Sequence, residues 1–273
     1  MNLDCEKELI HIPGSVQAHG VLIALRSSDL TILQISENVF DILGVHSSEL
    51  LHQPLSRLID PAPIERASLR IGEKVPRLLN PIPIEVNVGG QPKYFDGILH
   101  RSGRLLVLEL EMHRQFRARE VSVGAIYENI REFISKLMAS ESLEDIFGQS
   151  CEEIRKMTGF SRVMIYKFDE EWNGTVISES LDGTAKSFLH HRFPASDIPK
   201  QARELYTTNW LRLIPNVNYK PSPLIPSHNP MTDKPLDLSN AVLRSVSPVH
   251  LEYMRNMGQL GSMSISLLKN GKL

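Results

Sequence analysis

The sequence predicts an α+β chain of two domains, each built on an antiparallel sheet with helices beside it. Three observations support this prediction: short strand-like runs fill the first 112 residues, a long amphipathic helical pattern follows, and strand-like runs then resume. A length of 273 residues suits two domains of ordinary size, and a hydrophobic share of 41% is enough to build two cores.

The first domain is predicted to contain two strands, short helices and three further strands. A polar turn joins the first two apolar runs, and a glycine at residue 44 ends the short helix that follows them. A short apolar stretch comes next, and glycine-containing turns separate the last three runs. The predicted elements are strands Val21–Leu25 and Leu30–Ile35, helix Val39–Gly44, the stretch Leu50–Ile59, and strands Ile82–Val88, Lys93–Arg101 and Leu105–Met112.

The second domain is predicted to begin with a long helix near residue 118. Apolar residues recur at helical spacing through two segments, and alternating runs after them indicate strands. Asn173–Gly174 is interpreted as the turn between the first two of these strands. The predicted elements are helices Arg117–Ala139 and Leu143–Met157, strands Arg162–Phe168 and Thr175–Leu181, helix Gln201–Thr207 and a last strand Ser262–Leu268. The predicted organisation is an arm over residues 1–20, a first domain over 21–117 and a second over 118–273.

Residues 193–250 are rich in proline and are predicted to be largely irregular. Long irregular segments inside a compact domain are often functional, and proline fixes the backbone too firmly for a loose linker. We therefore expect a preshaped wall around a ligand. Near the end of the chain, Asn270–Gly271 is a strong hairpin signal. It predicts a returning strand beyond Leu273, so the second domain is expected to be incomplete.

Composition excludes several classes of function. A net charge of −2 offers no positive field for nucleic acid or an anionic membrane, and no apolar run is long enough to span a bilayer. With no signal-peptide pattern at its start, the chain is expected in the cytoplasm. No metal site is expected, because His190 and His191 point to opposite faces and no Cys/His spacing accompanies them.

The two cysteines differ in their surroundings. Cys151 lies in a helical apolar pattern, where a buried small hydrophobe is the expected role. Cys5 lies in a polar start of the chain, where packing gives no reason for a thiol. From the residue alone, an incidental cysteine and a functional one are equally good interpretations.

Several segments resemble those of one family, in the same order along almost the whole chain. Pro194–Pro199, read Pro-Ala-Ser-Asp-Ile-Pro, resembles the signature of the phytochrome GAF domain, and Ile10–Gly20 is similar to the segment after the chromophore cysteine of bacteriophytochromes. Further similar segments are Phe168–Gly174, His190–Phe193, Ala241–Pro248 and Tyr253–Gly258. The chain is thus identified as a member of the bacteriophytochromes, with a PAS domain followed by a GAF domain.

The resemblance implies a covalently attached linear tetrapyrrole. Plant and cyanobacterial phytochromes carry the attachment cysteine before the histidine of a Ser-Pro-Cys-His segment, where this chain has Val249 before His250. Cys5 instead stands as in bacteriophytochromes, whose thiol adds to a vinyl side chain of biliverdin IXα. Two propionates of that pigment imply arginine and hydroxyl donors. The family also implies a figure-of-eight knot, with Val16 inside a loop at residues 215–235.

The binding residues are implied by their positions in the family's motifs. Arg244 and Arg212 stand where propionates are bound, although either alone would suit a surface ion pair. Ser262 and Ser264 alternate on one face of the last strand and could serve the second propionate. The further donors are Tyr206, Ser247 and Tyr253. Asp197, followed by Ile198 and Pro199, and His250 correspond to positions that organise the pyrrole N–H groups. Tyr166, Phe193, Tyr253 and Met257 correspond to the lining around the D-ring.

The function implied is that of a red/far-red photoreceptor module without enzymatic activity. It would signal by photoisomerisation to PHY and histidine-kinase domains absent from the sequence, with a homodimer and a response regulator expected for the full-length protein. A pigment-free PAS–GAF sensor of small molecules is the alternative. An enzyme using His250 and Asp197 lacks a nucleophile or metal pattern. Because a central strand of the GAF sheet is expected beyond Leu273, we expect residues 1–273 alone to fold weakly and take up little pigment.

Overall fold

The structure is a computed structural model that describes residues 8–71, 80–112 and 123–273. Cys5 and the predicted boundary at residue 117 lie outside the described residues. Two compact units are present: one joins the residues up to Met112 with Lys200–Leu273, and the other runs from Val123 to Pro199. The first unit therefore combines two stretches far apart in sequence.

The described residues contain the following strands and helices. The strands are β1 (Ser15–Val16), β2 (Gly20–Arg26), β3 (Ile32–Ser36), β4 (Ile82–Val88), β5 (Gln91–Ser102), β6 (Leu105–Met112), β7 (Arg162–Phe168), β8 (Gly174–Leu181), β9 (Arg192–Phe193), β10 (Leu211–Ile214), β11 (Ser222–Ile225) and β12 (Ser262–Ile265). The helices are α1 (Val39–Leu43), α2 (Ser47–Leu50), α3 (Ala62–Arg70), α4 (Val123–Met138), α5 (Leu143–Thr158), α6 (Lys200–Thr208) and α7 (Pro248–Asn256). The predicted α+β class with antiparallel sheets is confirmed.

The first unit is organised around a seven-stranded sheet in the order β1-β11-β3-β2-β6-β5-β4. Its pairings are antiparallel, and the central strands β2, β3 and β6 are buried almost throughout. One face packs against a core that includes residues of α1 to α3. The other packs against apolar residues between Leu224 and Leu243. Because both faces are covered, these strands are apolar runs without alternation.

The predicted strands agree closely with the sheet, with one shift. Leu30 was expected to begin the second strand, but its backbone lies in the left-handed region (φ 54°) and the strand begins at Ile32. The Asp29 side chain accepts the Thr31 N–H at 3.0 Å, which explains the longer turn.

The proline-rich segment holds two strands that were predicted to be irregular. β10 pairs with β12, and β11 inserts into the large sheet between β1 and β3. Proline obscures the pattern in β11, since Pro223 and Pro226 stand in and beside a four-residue strand. Pro223 lacks an N–H, yet its carbonyl still accepts the Glu37 N–H at 2.9 Å.

The arm is held along both edges. On one side β1 pairs with β11, and on the other Gln17 N–H donates to Leu243 O at 2.7 Å. Ser245 N–H donates to Ser15 O at 3.1 Å on that second side, and Val16 between them is fully buried. Residues 15–17 thus form the middle strand of a local three-strand arrangement, while the figure-of-eight topology stays a prediction.

The second unit contains α4, α5 and the sheet β7-β8-β9. Ser142 caps the start of α5 by accepting the Asp145 N–H, and Gly159 ends it in the left-handed conformation (φ 75°). The turn between β7 and β8 was misplaced in the prediction. Asp169 accepts the N–H of Asn173 at 2.8 Å and Trp172 takes the positive φ, so Gly174 is already a strand residue.

The last strand is shorter than predicted, because β12 ends at Ile265 instead of Leu268. The Asn270–Gly271 turn is confirmed: both residues have positive φ, and Lys269 and Lys272 exchange backbone hydrogen bonds of 2.9 and 3.1 Å. Among the described residues, no helix is long and apolar enough to cross a membrane.

Candidate functional site

Arg244 is the central feature of the candidate site in the first unit. Its backbone forms an antiparallel bridge with Val16, and its side chain is 3% exposed. The guanidinium atoms Nε and Nη1 find no hydrogen-bond partner among the described residues. A buried guanidinium without a partner is costly, so this geometry is suited to an anionic ligand.

Arg212 increases the positive charge of the same region. Burial and the neighbouring Arg212 guanidinium together lower the pKa of Arg244 to about 9. Arg212 is partly buried, and burial also lowers its pKa. The Tyr206 side chain of α6 lies close enough to raise the pKa of both arginines, in opposition to burial. A bound carboxylate would stabilise the charged form of both neighbouring arginines.

The β10–β12 ribbon brings the two predicted serines to Arg212. Arg212 pairs directly with Ser264, and Ser262 pairs with Ile214. Directly paired residues project from the same face of an antiparallel ladder, as do residues two apart on one strand. Arg212, Ser262 and Ser264 therefore share a face and offer one guanidinium and two hydroxyl groups.

Helix α7 carries the next group of predicted residues. Pro248 begins the helix, and the rings of His250 and Tyr253 are stacked with centroids 6.3 Å apart. Burial lowers the pKa of His250 to about 4, with a further contribution from the Arg212 charge. His250 is therefore neutral at pH 7, with one ring nitrogen to donate and one to accept. Met257 is the residue that ends the helix.

The side chain of Ser247 forms a hydrogen bond to the arm. Its Oγ donates to Glu8 Oε2 at 2.6 Å, which joins the arm to the start of α7. This contact uses the hydroxyl that was predicted to face a propionate, so Ser247 has an additional role in holding the arm.

The second unit gathers an aromatic cluster around β7. Tyr166 lies 5.2 Å from Phe168 and 6.0 Å from Phe193 between ring centroids. The Tyr166 ring lies over Gly174, where an added Cβ would overlap it. The sheet thus requires glycine at this place so that the tyrosine can adopt its position.

Asp197 ends the short 3-10 helix Ala195–Asp197, and its N–H donates to Pro194 O at 3.1 Å. Ile198 has extended φ as expected before Pro199. Asp197 is partly buried.

The structure thus brings the predicted residues together in two groups. The first unit holds Tyr206, Arg212, Arg244, Ser247, His250, Tyr253, Met257, Ser262 and Ser264. The second unit holds Tyr166, Phe193, Asp197, Ile198 and Pro199. Cys5 lies outside the described residues. Cys151 is buried, and burial raises the pKa of its thiol.

Sequence reasoning missed two carboxylates of the first unit, of which one acts on Arg244 and the other bonds Ser247. Glu109 is fully buried and accepts the backbone N–H groups of Val242 and Leu243, and Glu8 bonds Ser247. A glutamate inside the apolar strand Leu105–Met112 was a visible signal for the first. Glu8 stands in a polar segment and gave no such signal.

Comparisons with known proteins agree with this architecture. A PAS fold model matches residues 5–113, and a GAF domain model matches residues 142–273. Cyanobacterial phytochrome B of Nostoc is 47% identical over 99% of this chain, and the bacteriophytochrome of Pseudomonas aeruginosa is 37% identical over 99%. This chain spans 36% of the length of each of these relatives.

A solved structure matches the same region. The chromophore-binding domain of Stigmatella aurantiaca phytochrome P1 is 44% identical, with a TM-score of 0.88, and the match covers 98% of this chain and 88% of that one. The sequence identity and the fold match extend over almost the whole chain, and the two domain models match residues 5–113 and 142–273 within it. The chain therefore belongs to the phytochrome family and corresponds to its PAS–GAF chromophore-binding region.

Proposed function

We propose that this chain is the red/far-red light-sensing module of a cytoplasmic photoreceptor, and that it holds biliverdin IXα covalently through Cys5. When bound, the bilin supplies the absorption of light and the isomerisation that follows. The single observation that carries the proposal is Arg244, buried to 97% beside Arg212 with two guanidinium nitrogens unpartnered among the described residues.

The residues of the first unit fit the acidic side chains of such a pigment. Arg244 and Arg212 would bind propionates, and Arg212 shares its face with Ser262 and Ser264. Bidentate pairing would satisfy the free nitrogens of Arg244 and offset the cost of burying its charge. Tyr206 and Tyr253 would add donors at the edge of this group.

The remaining residues fit the pyrrole rings. His250 is neutral, so it can accept from an N–H group while donating elsewhere. Asp197, followed by Ile198 and Pro199, offers acceptors for ring N–H groups. Tyr166, Phe193 and Met257 would supply apolar and aromatic lining.

Cys5 is favoured as the attachment residue by three features. The Glu8–Ser247 hydrogen bond holds the arm at the start of α7, and a tether of three residues reaches at most about 11 Å from Glu8. Val249 supplies no nucleophile at the alternative position. Cys151 is unsuitable because it is buried and its pKa is raised, and a thiolate is the stronger nucleophile.

The choice of biliverdin rests on Cys5 and Val249, since the relatives include phytochromes of cyanobacteria and of other bacteria. We further propose that the chain has no catalytic activity of its own and passes its signal to PHY and histidine-kinase domains. A homodimer and a response regulator would be the partners of the full-length protein.

The test is co-expression with a haem oxygenase, followed by denaturing electrophoresis and zinc-dependent bilin fluorescence. We expect a fluorescent band for the parent and for Cys151→Ala, weak because little pigment uptake is expected for residues 1–273 alone, and no band for Cys5→Ala. Equal labelling of both variants would refute Cys5 as the attachment site. A parent chain that binds no bilin would favour a pigment-free sensor, and preferential uptake of phycocyanobilin over biliverdin would contradict the choice of pigment.

A further inference from the structure

Glu109 is a fully buried carboxyl group in the central strand β6 of the first unit. It shares a sheet face with Leu105 and Val107, and this face packs against Leu236 to Leu243. An isolated carboxyl group in such surroundings is strongly disfavoured unless it is hydrogen-bonded. Its presence therefore requires a specific partner.

The partner is the backbone immediately before Arg244. Val242 N–H donates to Glu109 Oε1 at 3.1 Å, and Leu243 N–H donates to Oε2 at 2.7 Å. Each carboxyl oxygen thus holds one of two consecutive amides. The contact joins residues 133 and 134 positions apart in sequence.

Residues 242–243, whose amides bind Glu109, also contact the arm and precede Arg244. Its Leu243 carbonyl accepts the Gln17 N–H, so the same residue that Glu109 holds also binds the arm. Arg244 follows directly, with its unpartnered nitrogens as described above. A shift of the backbone at residues 242–243 would therefore move both the arm and the arginine.

The charged groups around Glu109 come from several elements. His100 Nδ1 of β5 lies 3.5 Å from Oε1, and Glu111 of β6 and Arg244 also act on the carboxyl group. Asp237 acts on His100, and His19 pairs with Glu111 at 3.1 Å. Burial raises the pKa of Glu109 to about 8 and lowers that of His100 to about 4. At pH 7 the pair is therefore uncharged, with the proton on Glu109.

We propose that Glu109 is a positioning residue of the bilin site, which sets the backbone at residues 242–243 and thereby the place of Arg244 and of the arm that carries Cys5. This inference rests on the proposed function. It assigns to the PAS sheet a direct part in shaping the binding site, through hydrogen bonds that cross from β6 to the later segment.

The first test uses the pigment-free chain and needs no bilin. Glu109→Gln keeps the size of the side chain but presents an NH₂ group to one of the two amides. We expect hydrogen exchange of the amide that faces the NH₂ group, Val242 or Leu243, to accelerate about tenfold, which corresponds to the loss of one hydrogen bond. Glu111→Gln is the matched control on the same strand face, and unchanged exchange is expected there. Native exchange rates in Glu109→Gln would overturn the proposal.

A second variant covers the case in which Glu109→Gln does not fold, as judged by circular dichroism. Glu109→Asp keeps both oxygens on a shorter side chain that cannot reach both amides. We expect the Val242 and Leu243 amides of this variant to exchange at rates between those of the parent and those of an unprotected amide. Full protection would overturn the proposal.

The final experiment measures biliverdin attachment with Arg244 present and absent. Glu109→Gln should slow attachment about tenfold in the parent and less than about twofold in an Arg244→Ala background. If Glu109 acts by positioning Arg244, its substitution has little further effect once Arg244 is removed, so the two effects are not additive. Equal effects in both backgrounds would overturn the inference while leaving the proposed function intact. A parent chain that takes up no biliverdin would overturn both.

Discussion

Glu109 also makes the stability of the pigment-free chain depend on pH in an unusual direction. Its folded-state pKa of about 8 lies above the ordinary value of 4.5, so between these values the folded chain keeps a proton that the unfolded chain has lost. Stability must then fall as pH rises through this range. His100 and His250 have lowered pKa values of about 4 and ordinary values of 6.5, so at pH 6.5 about half of each is still protonated in the unfolded chain, and both are neutral in either state only above about pH 7.5.

Between pH 6.5 and pH 8 the effect of Glu109 is isolated by comparing the parent with Glu109→Gln, because the two histidines contribute equally in both proteins. One proton corresponds to about 1.4 kcal/mol per pH unit, so across this range the free energy of unfolding of the parent should fall relative to that of Glu109→Gln by about 2 kcal/mol. Urea unfolding followed by circular dichroism at several pH values measures both slopes. Glu109→Gln should become slightly more stable over the same range as the histidines of the unfolded chain lose their protons, and equal slopes in both proteins would refute the reasoning.

Two further substitutions test the packing around the site. Val16→Ala should lower the free energy of unfolding by about 2 kcal/mol, since two methyl groups leave a fully buried position; urea unfolding measures it, and exposed Leu9→Ala should change little. Gly174→Ala should cost about 1–3 kcal/mol because the new Cβ overlaps the Tyr166 ring. Gly148→Ala in α5 meets open space and should stabilise by up to about 1 kcal/mol, so losses of similar size in both glycine variants would contradict the packing argument.

The strands and long helices could be predicted because their apolar patterns are local. β6 and β7 match the predicted bounds, since alternation or a continuous apolar run fixes each without knowledge of its partner. β11 could not be predicted in this way. It is a four-residue strand with proline inside it, and its stability comes from β1 and β3, about 190 and more residues earlier.

The residues of the candidate site also divide into those that the sequence indicated and those that it did not. Arg212, Ser262 and Ser264 were assigned by resemblance, and the register of β10 against β12 shows why they share a face. Glu109 and Glu8 were missed because their partners are backbone amides and a hydroxyl group distant in sequence. Neither partner leaves a pattern in the neighbouring residues, so a charged residue in an apolar strand was the remaining clue.

The pairing of the arm with a strand on each of its two sides has a consequence for synthesis on the ribosome. Residues 15–17 emerge before the strands that flank them, and one of these two strands ends near Ser245, 230 residues later. At translation rates of 5–20 residues per second, roughly 10–50 s pass between the synthesis of residues 15–17 and that of this flanking strand. The buried Val16 and Gln17 are exposed for that time, so the nascent chain presents an unpaired apolar strand to which chaperones could bind.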